Sequence, residues 1–235
     1  MPIKIFDDGS AIEVTPHVNG ETADINAYVL QDGDPVLVHQ SSDAVIMEDF
    51  ESYSTGTHLG QHGYDATGDD EEEFVVTSES ALDTDRSSTR GVTAADRRQT
   101  AKTGGVCERG WQYYNYIYAL ASDAGPFLLL FDQDASDPSN DCYAVRADIR
   151  DNDFEMREVG GPGFSDVSVS MSHETTYILS CEVTSDQVRA ILYDNTFTEL
   201  ATTPWISTTL YSSGTFGWDS GRSDMYIDTL WREPL

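Results

Sequence analysis

The last third of the chain, residues 177–231, contains three strand-like runs with turn residues between them. In the first two runs apolar residues occupy every second position, and these are Tyr177, Leu179, Cys181, Val183, Val188, Ala190 and Leu192. A period of two is typical of antiparallel strands that bury one face. The residues between the two runs, Thr184-Ser185-Asp186, have the composition of a tight turn. This region therefore predicts consecutive half-buried β-strands.

The middle of the chain continues the same pattern. Residues 111–120 alternate between two faces, and residues 127–131, Phe-Leu-Leu-Leu-Phe, are apolar on both faces, as expected of a central sandwich strand. Turn clusters separate these runs at regular intervals. Such spacing favours an all-β protein. We predict a two-sheet antiparallel β sandwich of the jelly-roll type, with a small N-terminal β-hairpin module.

The first 40 residues contain an internal repeat. Residues 5–14, Ile-Phe-Asp-Asp-Gly-Ser-Ala-Ile-Glu-Val, recur 24 positions later as residues 29–38, Val-Leu-Gln-Asp-Gly-Asp-Pro-Val-Leu-Val. Each copy places Asp-Gly between two short runs, which predicts a β-hairpin. The polar residues 40–43 predict a connector. We therefore expect a hairpin module in residues 1–40 and a jelly-roll domain in residues 44–235.

Two hairpins bury too little apolar surface to be stable alone. We expect this module to pack against the jelly-roll domain, against copies of itself or against another protein. An edge hairpin that simply extends the sandwich is one of these alternatives. The sequence leaves the choice between them open.

Several segments resemble a known domain family. The pattern Tyr-x-Leu-x-x-x-Val in residues 177–183, Val-x-Ala-x-Leu-Tyr-Asp in residues 188–194 and the closing Gly-x-Phe-Gly and Tyr-Ile-Asp-x-Leu of residues 214–230 are similar to the end of concanavalin A-like and laminin-G-like jelly rolls. Residues 44–51 are similar to the opening strand of those domains. The resemblance covers residues 44–235 and implies a lectin-like domain that binds glycans.

The N-terminal repeat resembles a second group of proteins. Residues 12–20, Ile-Glu-Val-Thr-Pro-His-Val-Asn-Gly, and residues 27–38 are similar to short β modules at the N-termini of tailed-virus virion proteins. This resemblance implies an extracellular location on a virion, in the capsid or the tail. It also implies contacts with other virion proteins through residues 1–40 and a homo-oligomeric assembly.

The charge of the chain is extreme. There are 42 acidic residues against 13 basic ones, a net charge of −29, and Lys4 and Lys102 are the only lysines. Self-repulsion of this size destabilises a fold in dilute buffer, but in molar salt the Debye length shrinks to about 3 Å. The composition therefore favours a halophilic source, here a haloarchaeal virus, and the alternative is an ordinary acidic extracellular protein. It disfavours nucleic acid and anionic membranes as partners.

No segment has the pattern of a signal peptide or a membrane span. We therefore expect neither a signal peptide nor insertion into a membrane. The chain has three cysteines, Cys107, Cys142 and Cys181, without the spacing of a metal site. Cys181 is expected in the core, and whether Cys107 pairs with Cys142 stays open.

An aromatic stripe is the candidate ligand-binding surface. Aromatic faces stack on sugar rings, and a tyrosine hydroxyl forms hydrogen bonds at the edge of the sugar. The candidate glycan-binding residues are Trp111, Tyr114, Tyr116 and Tyr118. The alternative is that these rings pack against neighbouring strands.

Calcium is the candidate cofactor, in a structural role, because oxygen donors cluster in one loop. The predicted ligands of this loop are Asp132, Asp134, Asp137, Asn140 and Asp141. The related folds imply a second calcium site, with Glu48 or Glu51 from the opening strand and Asp228 from the closing strand. The alternative is a solvated acidic loop without metal.

The resemblance also raises the question of hydrolysis, because jelly rolls of this kind include glucanases that carry Glu-x-Asp-x-x-Glu. No glutamate in this chain is followed two residues later by aspartate. A retaining glycosidase needs two carboxyl groups about 5 to 5.5 Å apart. We therefore predict a protein without enzymatic activity, and the alternative is a secreted glycan-active enzyme or its carbohydrate-binding module.

Overall fold

The structure, a computed structural model, describes residues 3–7, 10–14, 23–31, 34–65, 74–78, 88–91, 99–122, 124–138, 140–220 and 225–235. Within residues 3–43 and 88–91 it describes the backbone alone. Strands dominate the described residues, and a 3-10 turn spans Leu59–His62. No helix in these ranges is long and apolar enough to cross a membrane.

Sheet 1 forms one layer of the molecule. Its strands, in spatial order, are β17 (Glu199–Thr202), β16 (Gln187–Asp194), β15 (Thr176–Val183), β10 (Trp111–Ala119), β20 (Met225–Pro234), β4 (Asp34–Glu48) and β3 (Ala23–Gln31). Three shorter strands extend this sheet, namely β18 (Ile206–Ser207) beside β16, β7 (Ser88–Gly91) beside β20, and β6 (Phe74–Thr77) beside β7. Neighbouring strands in this layer are antiparallel.

Sheet 2 forms the other layer. Its strands, in spatial order, are β14 (Phe164–Ser168), β13 (Asp153–Glu158), β12 (Tyr143–Asp148), β11 (Phe127–Asp132), β19 (Ser213–Asp219), β8 (Gln99–Lys102) and β5 (Tyr64–Asp65), and β9 (Cys107–Glu108) also pairs with β19. These pairs are antiparallel too. The predicted fold class, an all-β antiparallel sandwich of two sheets, is confirmed.

One hydrophobic core lies between the two sheets. The predicted inward positions of the last third are confirmed, since Tyr177, Leu179, Cys181, Val183, Val188, Ala190 and Leu192 all belong to it. The run 127–131 lies in β11, where every residue is buried, and β11 is flanked on both sides within sheet 2. Burial of each large apolar side chain stabilises the fold by roughly 1.5–3 kcal/mol. In a strand whose apolar residues alternate with polar ones, this free energy determines which face turns inward.

Two hairpins are present in the N-terminal segment, as the repeat predicts. In the first, β1 (Ile3–Asp7) and β2 (Ser10–Val14) pair antiparallel. In the second, β3 pairs with β4. The residues at the two Asp-Gly turns, 8–9 and 32–33, lie outside the described residues.

The strand β4 does not stop where the sequence predicts a connector. It runs without a break from Asp34 to Glu48, so residues 40–43 lie inside a strand. Its first part pairs with β3, and its last part pairs with β20, with Ile46 opposite Trp231. The predicted division at residues 40–44 stays a prediction, but the two segments share one strand.

The three cysteines are buried, and Cys107 and Cys142 form no disulfide. Cys107 Sγ lies 3.5 Å from the carbonyl oxygen of Thr215. Burial raises the pKa of Cys107 to about 12, and it also raises the pKa of Cys181. The two thiols stay protonated at neutral pH and act as small core residues.

Candidate functional site on the outer face of sheet 2

The predicted tyrosine stripe lies on the outer face of sheet 1. Tyr114 is only 6% exposed, and its ring stacks on Trp231 with the centroids 5.0 Å apart and an interplanar angle of 8°. Tyr116 packs on the same indole at 5.3 Å, and Tyr118 contacts Tyr226 at 6.1 Å. The chain itself covers much of this aromatic surface, which favours the packing interpretation for Tyr114.

Trp111 lies on the opposite face of β10 and packs against the central core. The guanidinium of Arg232 lies 4.3 Å from the centre of its ring. The structure therefore does not bring Trp111 together with the three tyrosines. A ligand-binding role for these four residues stays a prediction.

The predicted calcium loop forms hydrogen bonds within itself. Asp132 is buried, and its Oδ1 accepts a hydrogen bond from the amide of Asp134. Asp134 in turn accepts hydrogen bonds from the amide and hydroxyl of Ser136. Three further predicted ligands, Asp137, Asn140 and Asp141, are exposed.

The second predicted calcium site is also not assembled. Asp228 is fully buried, and its Oδ1 accepts a hydrogen bond from the amide of Thr229. Glu48 contacts Lys102 and two tyrosines instead, and Glu51 is half-buried. Among the residues the structure describes, no group of three or more His, Cys, Asp or Glu is placed to hold a metal ion. Both calcium sites therefore stay predictions.

A different surface combines the side chains that a polar ligand needs. On β11, β12, β13 and β14 the residues that alternate with the core residues project from the outer face of sheet 2. We call six of them the arginine platform: Phe127, Arg146, Asp148, Glu155, Arg157 and Phe164. The strand register places Phe127 opposite Arg146, Arg146 opposite Glu155, and Arg157 opposite Phe164.

Arg146 lies at the centre of the arginine platform. Its Nη2 is 2.6 Å from Asp148 Oδ2, and its Nη1 is 3.6 Å from Glu155 Oε1. The guanidinium also lies 5.0 Å from the centre of the Phe127 ring, a distance at which a cation is attracted to the ring face. Its Nε is buried and has no hydrogen-bond partner within the described residues. Gly125 leaves the space for this side chain, since a Cβ there would come 2.7 Å from Arg146 Nη2.

Arg157 forms the second arginine contact of the platform. Its Nε and Nη2 lie 2.7 and 2.5 Å from Glu155 Oε2. Its guanidinium lies 5.5 Å from the centre of the Phe164 ring. Phe164 is 54% exposed, so an aromatic ring faces solvent beside a fixed guanidinium and carboxylate.

Next to Phe127, the same row continues with Asp219 and Gln99 on β19 and β8. Gln99 Nε2 donates a hydrogen bond to Asp219 Oδ2 at 3.1 Å. Sugars present hydroxyl groups that both donate and accept hydrogen bonds, together with an apolar ring face. Arginine donors, carboxylate acceptors and an exposed ring on one surface match those three features.

The sequence analysis missed the arginine platform. The signal was present as the short alternations Arg146-Ala147-Asp148 and Glu155-Met156-Arg157, which place opposite charges two residues apart on one strand face. Arginines are scarce in a chain with a net charge of −29. A pair of them on adjacent strands therefore deserves more weight than the sequence reasoning gave it.

Of the comparisons with known proteins, the one with solved structures supports the fold. No family model matches the sequence, and no curated protein matches it. Solved structures do match. The carbohydrate-binding module CBM66 from Bacillus subtilis has a TM-score of 0.50 at 11% identity, over 62% of this chain and 86% of that one. A Bacillus subtilis protein of unknown function with a galectin-like fold has a TM-score of 0.50 at 8% identity, over 63% and 82% of the two chains.

A further solved structure, the exoplasmic/lumenal domain of VIP36 in its Ca²⁺-bound form, has a TM-score of 0.48 at 12% identity, over 70% of this chain and 79% of that one. At identities this low, the two structural matches with TM-scores of 0.50 show a shared fold and nothing about chemistry. The chain therefore has the β-sandwich fold found in a carbohydrate-binding module and in a protein described as galectin-like.

Proposed function

We propose that this protein is a lectin-like glycan-binding protein and that the arginine platform is its sugar site. The observation that carries the proposal is the exposed Phe164 ring beside Arg157 and Glu155. A sugar ring stacked on Phe164 would have its hydroxyl groups within reach of both charged side chains. The fold shared with a carbohydrate-binding module supports the same function.

The charges on the platform favour a neutral glycan. Arg146 and Arg157 are matched by Asp148 and Glu155, so these four side chains carry no net charge. The contacts of Arg146 with Asp148 and of Arg157 with Glu155 are short, and Asp148 and Glu155 are largely buried. Pairs of this kind are screened by salt far less than exposed charges. The site would therefore keep its geometry in molar salt.

We further propose that the protein is exposed on the virion of a haloarchaeal tailed virus, where it binds a host-surface glycan or decorates the particle. The N-terminal repeat supports this location through its resemblance to virion modules, and the acidic composition supports the halophilic source. Other virion proteins would be the partners of residues 1–40. Immunogold labelling of purified particles tests this location, and label confined to the soluble fraction would contradict it.

A glycan array in 2 M KCl tests the sugar site. We expect binding to neutral glycans by the native chain and about two- to tenfold weaker binding by Phe164→Ala, because aromatic stacking contributes about 0.5–1.5 kcal/mol. Leu210→Ala is the matched control, since Leu210 is a 50% exposed apolar residue outside the platform. Equal losses in both variants, or no binding by the native chain, would contradict the proposal.

An assay of reducing-sugar release on the glycans that bind separates binding from hydrolysis. We expect no release above background. Turnover that Glu155→Gln abolishes would identify a glycosidase instead, because glycosidases depend on carboxyl groups beside the scissile bond.

A further inference from the structure

A groove of about 310 Å³ opens between the two sheets, and none of its lining residues belongs to the arginine platform. From sheet 1, Val45 and Met47 of β4 and Arg232 of β20 line it. From sheet 2, Lys102 of β8 and Phe216 of β19 line it, and the loop 103–106 closes one side. The volume lies at the lower end of the range for small-molecule sites, which is about 300–1,000 Å³.

The lining of the groove is unlike the rest of the chain. It contains two cationic side chains and no carboxylate, although the whole chain has 42 acidic residues and 13 basic ones. Four apolar side chains line it as well, Val45, Met47, Val106 and Phe216, together with Thr103, Gly104 and Gly105. An apolar wall with a positive group suits a ligand that is part hydrocarbon and part anion.

Arg232 has a donor that no described residue uses, although its side chain also forms a hydrogen bond with Tyr113. Its Nη1 makes two long contacts of 3.4 Å, to the carbonyl of Val106 and to Glu108. Its Nε is buried and has no hydrogen-bond partner in the part of the chain that the structure describes. Trp111 lies under the guanidinium at 4.3 Å. The ring fixes the plane of the guanidinium, which reduces the entropy that ligand binding would cost.

Lys102 has a different role. Its ammonium already contacts Glu48 at 3.2 Å, the hydroxyl of Tyr53 at 2.7 Å and the carbonyl of His62 at 3.0 Å. These contacts use its three donors. The Glu48 carboxylate offsets the charge of Lys102, so a hydrogen bond to an anion in the groove has to come from Arg232.

From this combination we infer that the groove binds a small amphipathic carboxylate. The carboxylate accepts hydrogen bonds from Arg232, and the hydrocarbon part contacts Met47 and Phe216. In molar salt the long-range repulsion from the acidic surface is screened, so contact with Arg232 decides the affinity of the anion. This site is independent of the proposed sugar site.

Isothermal titration calorimetry of the full chain in 2 M KCl tests the groove, with sodium octanoate as the ligand. We expect saturable binding of one octanoate and at least tenfold weaker binding of 1-octanol, which lacks the charge. Acetate, which lacks the hydrocarbon part, should not bind measurably. Equal affinities for octanoate and octanol, or no saturable heat with octanoate, would overturn the inference.

Substitutions at Val106 test the location without disturbing the core, because Val106 lines the groove and is 54% exposed. Val106→Glu places a negative charge at the rim and should weaken octanoate binding at least tenfold. Val106→Gln, of similar size to glutamate and neutral, should weaken octanoate binding far less than Val106→Glu does. Phe164→Ala should leave octanoate affinity unchanged, which separates this site from the sugar site. A Val106→Glu variant with native affinity would place octanoate elsewhere.

Discussion

Lys102 Nζ lies 3.2 Å from Glu48 Oε2, and this contact joins the two sheets of the sandwich. The same carboxylate oxygen accepts hydrogen bonds from Tyr53 at 2.8 Å and from Tyr64 at 2.6 Å. Glu48 is 7% exposed, and its other oxygen accepts hydrogen bonds from the amides of Asp49 and Phe50. Lys102, one of only two lysines in the chain, forms this junction.

Removing the carboxylate from this junction should destabilise the fold strongly. We expect Glu48→Ala to lower the free energy of unfolding by about 3 kcal/mol, because it leaves the Lys102 charge partly buried without its partner. Denaturant unfolding in 2 M KCl measures the change. Glu199→Ala removes an exposed carboxylate and should change the stability by less than about 0.5 kcal/mol. Similar losses in both variants would show that the contact between Glu48 and Lys102 adds no more to the free energy of unfolding than an exposed carboxylate does.

His62 should make the stability sensitive to mild acid. Burial and the nearby Lys102 ammonium lower the pKa of His62 below its ordinary value of 6.5. Because the folded state resists protonation more than the unfolded state does, this stability is complete above pH 6.5 and is lost as the pH falls below it. The ring also stacks on Tyr53 at 3.8 Å.

His62→Phe keeps an aromatic ring in the stack and does not titrate. We expect the melting temperature of the native chain to fall more than that of His62→Phe between pH 7 and pH 5. His173→Phe, at an exposed histidine, should follow the native chain. Parallel curves for all three proteins would remove His62 as the cause.

Chelation should leave the melting temperature unchanged. The described carboxylates form no group placed to hold a metal ion, and those of Asp132 and Asp134 accept hydrogen bonds from their own loop. Differential scanning fluorimetry with and without EDTA, at constant ionic strength, measures the effect. A drop that added Ca²⁺ restores would establish a calcium site.

Salt should stabilise the protein. At a net charge of −29 the acidic surface repels itself, and molar salt screens that repulsion. We expect the melting temperature to rise steeply between dilute buffer and 2 M KCl. A flat response would remove the argument for a halophilic source.

Deletion of residues 1–40 tests the proposed assembly role of the hairpins. If they assemble copies, the intact chain is a closed oligomer and the shortened chain a folded monomer. Light scattering in 2 M KCl, with circular dichroism as the control for folding, measures both. A monomeric intact chain at micromolar concentration would contradict self-assembly.

Alternation of apolar residues was sufficient to predict the layers of the sandwich, because the inward face of a strand follows from local sequence alone. Alternation located Leu179 and Leu192 in the core. The run 127–131, which is apolar on both faces, identified β11 as a central strand. The Asp-Gly repeat likewise predicted two hairpins from residues close together in sequence.

The arginine platform depends on the register in which strands pair, which local sequence does not show. Phe127 reaches Arg146, and Arg157 reaches Phe164, only because four neighbouring strands pair in one particular register. A slip of one residue would turn every one of these side chains inward. For the same reason the sequence could not show that Tyr114 stacks on Trp231, which lies 117 residues further along the chain.

The unbroken strand β4 has a mechanical consequence. Tension applied to the β3–β4 hairpin is not taken up by a flexible linker, because β4 continues into sheet 1 and pairs there with β20. The force reaches β20, an interior strand of sheet 1, along one extended strand, so the hairpin is rigidly coupled to the sandwich. A protein anchored by its N-terminal segment would transmit pulling forces directly to the layer that carries Trp231.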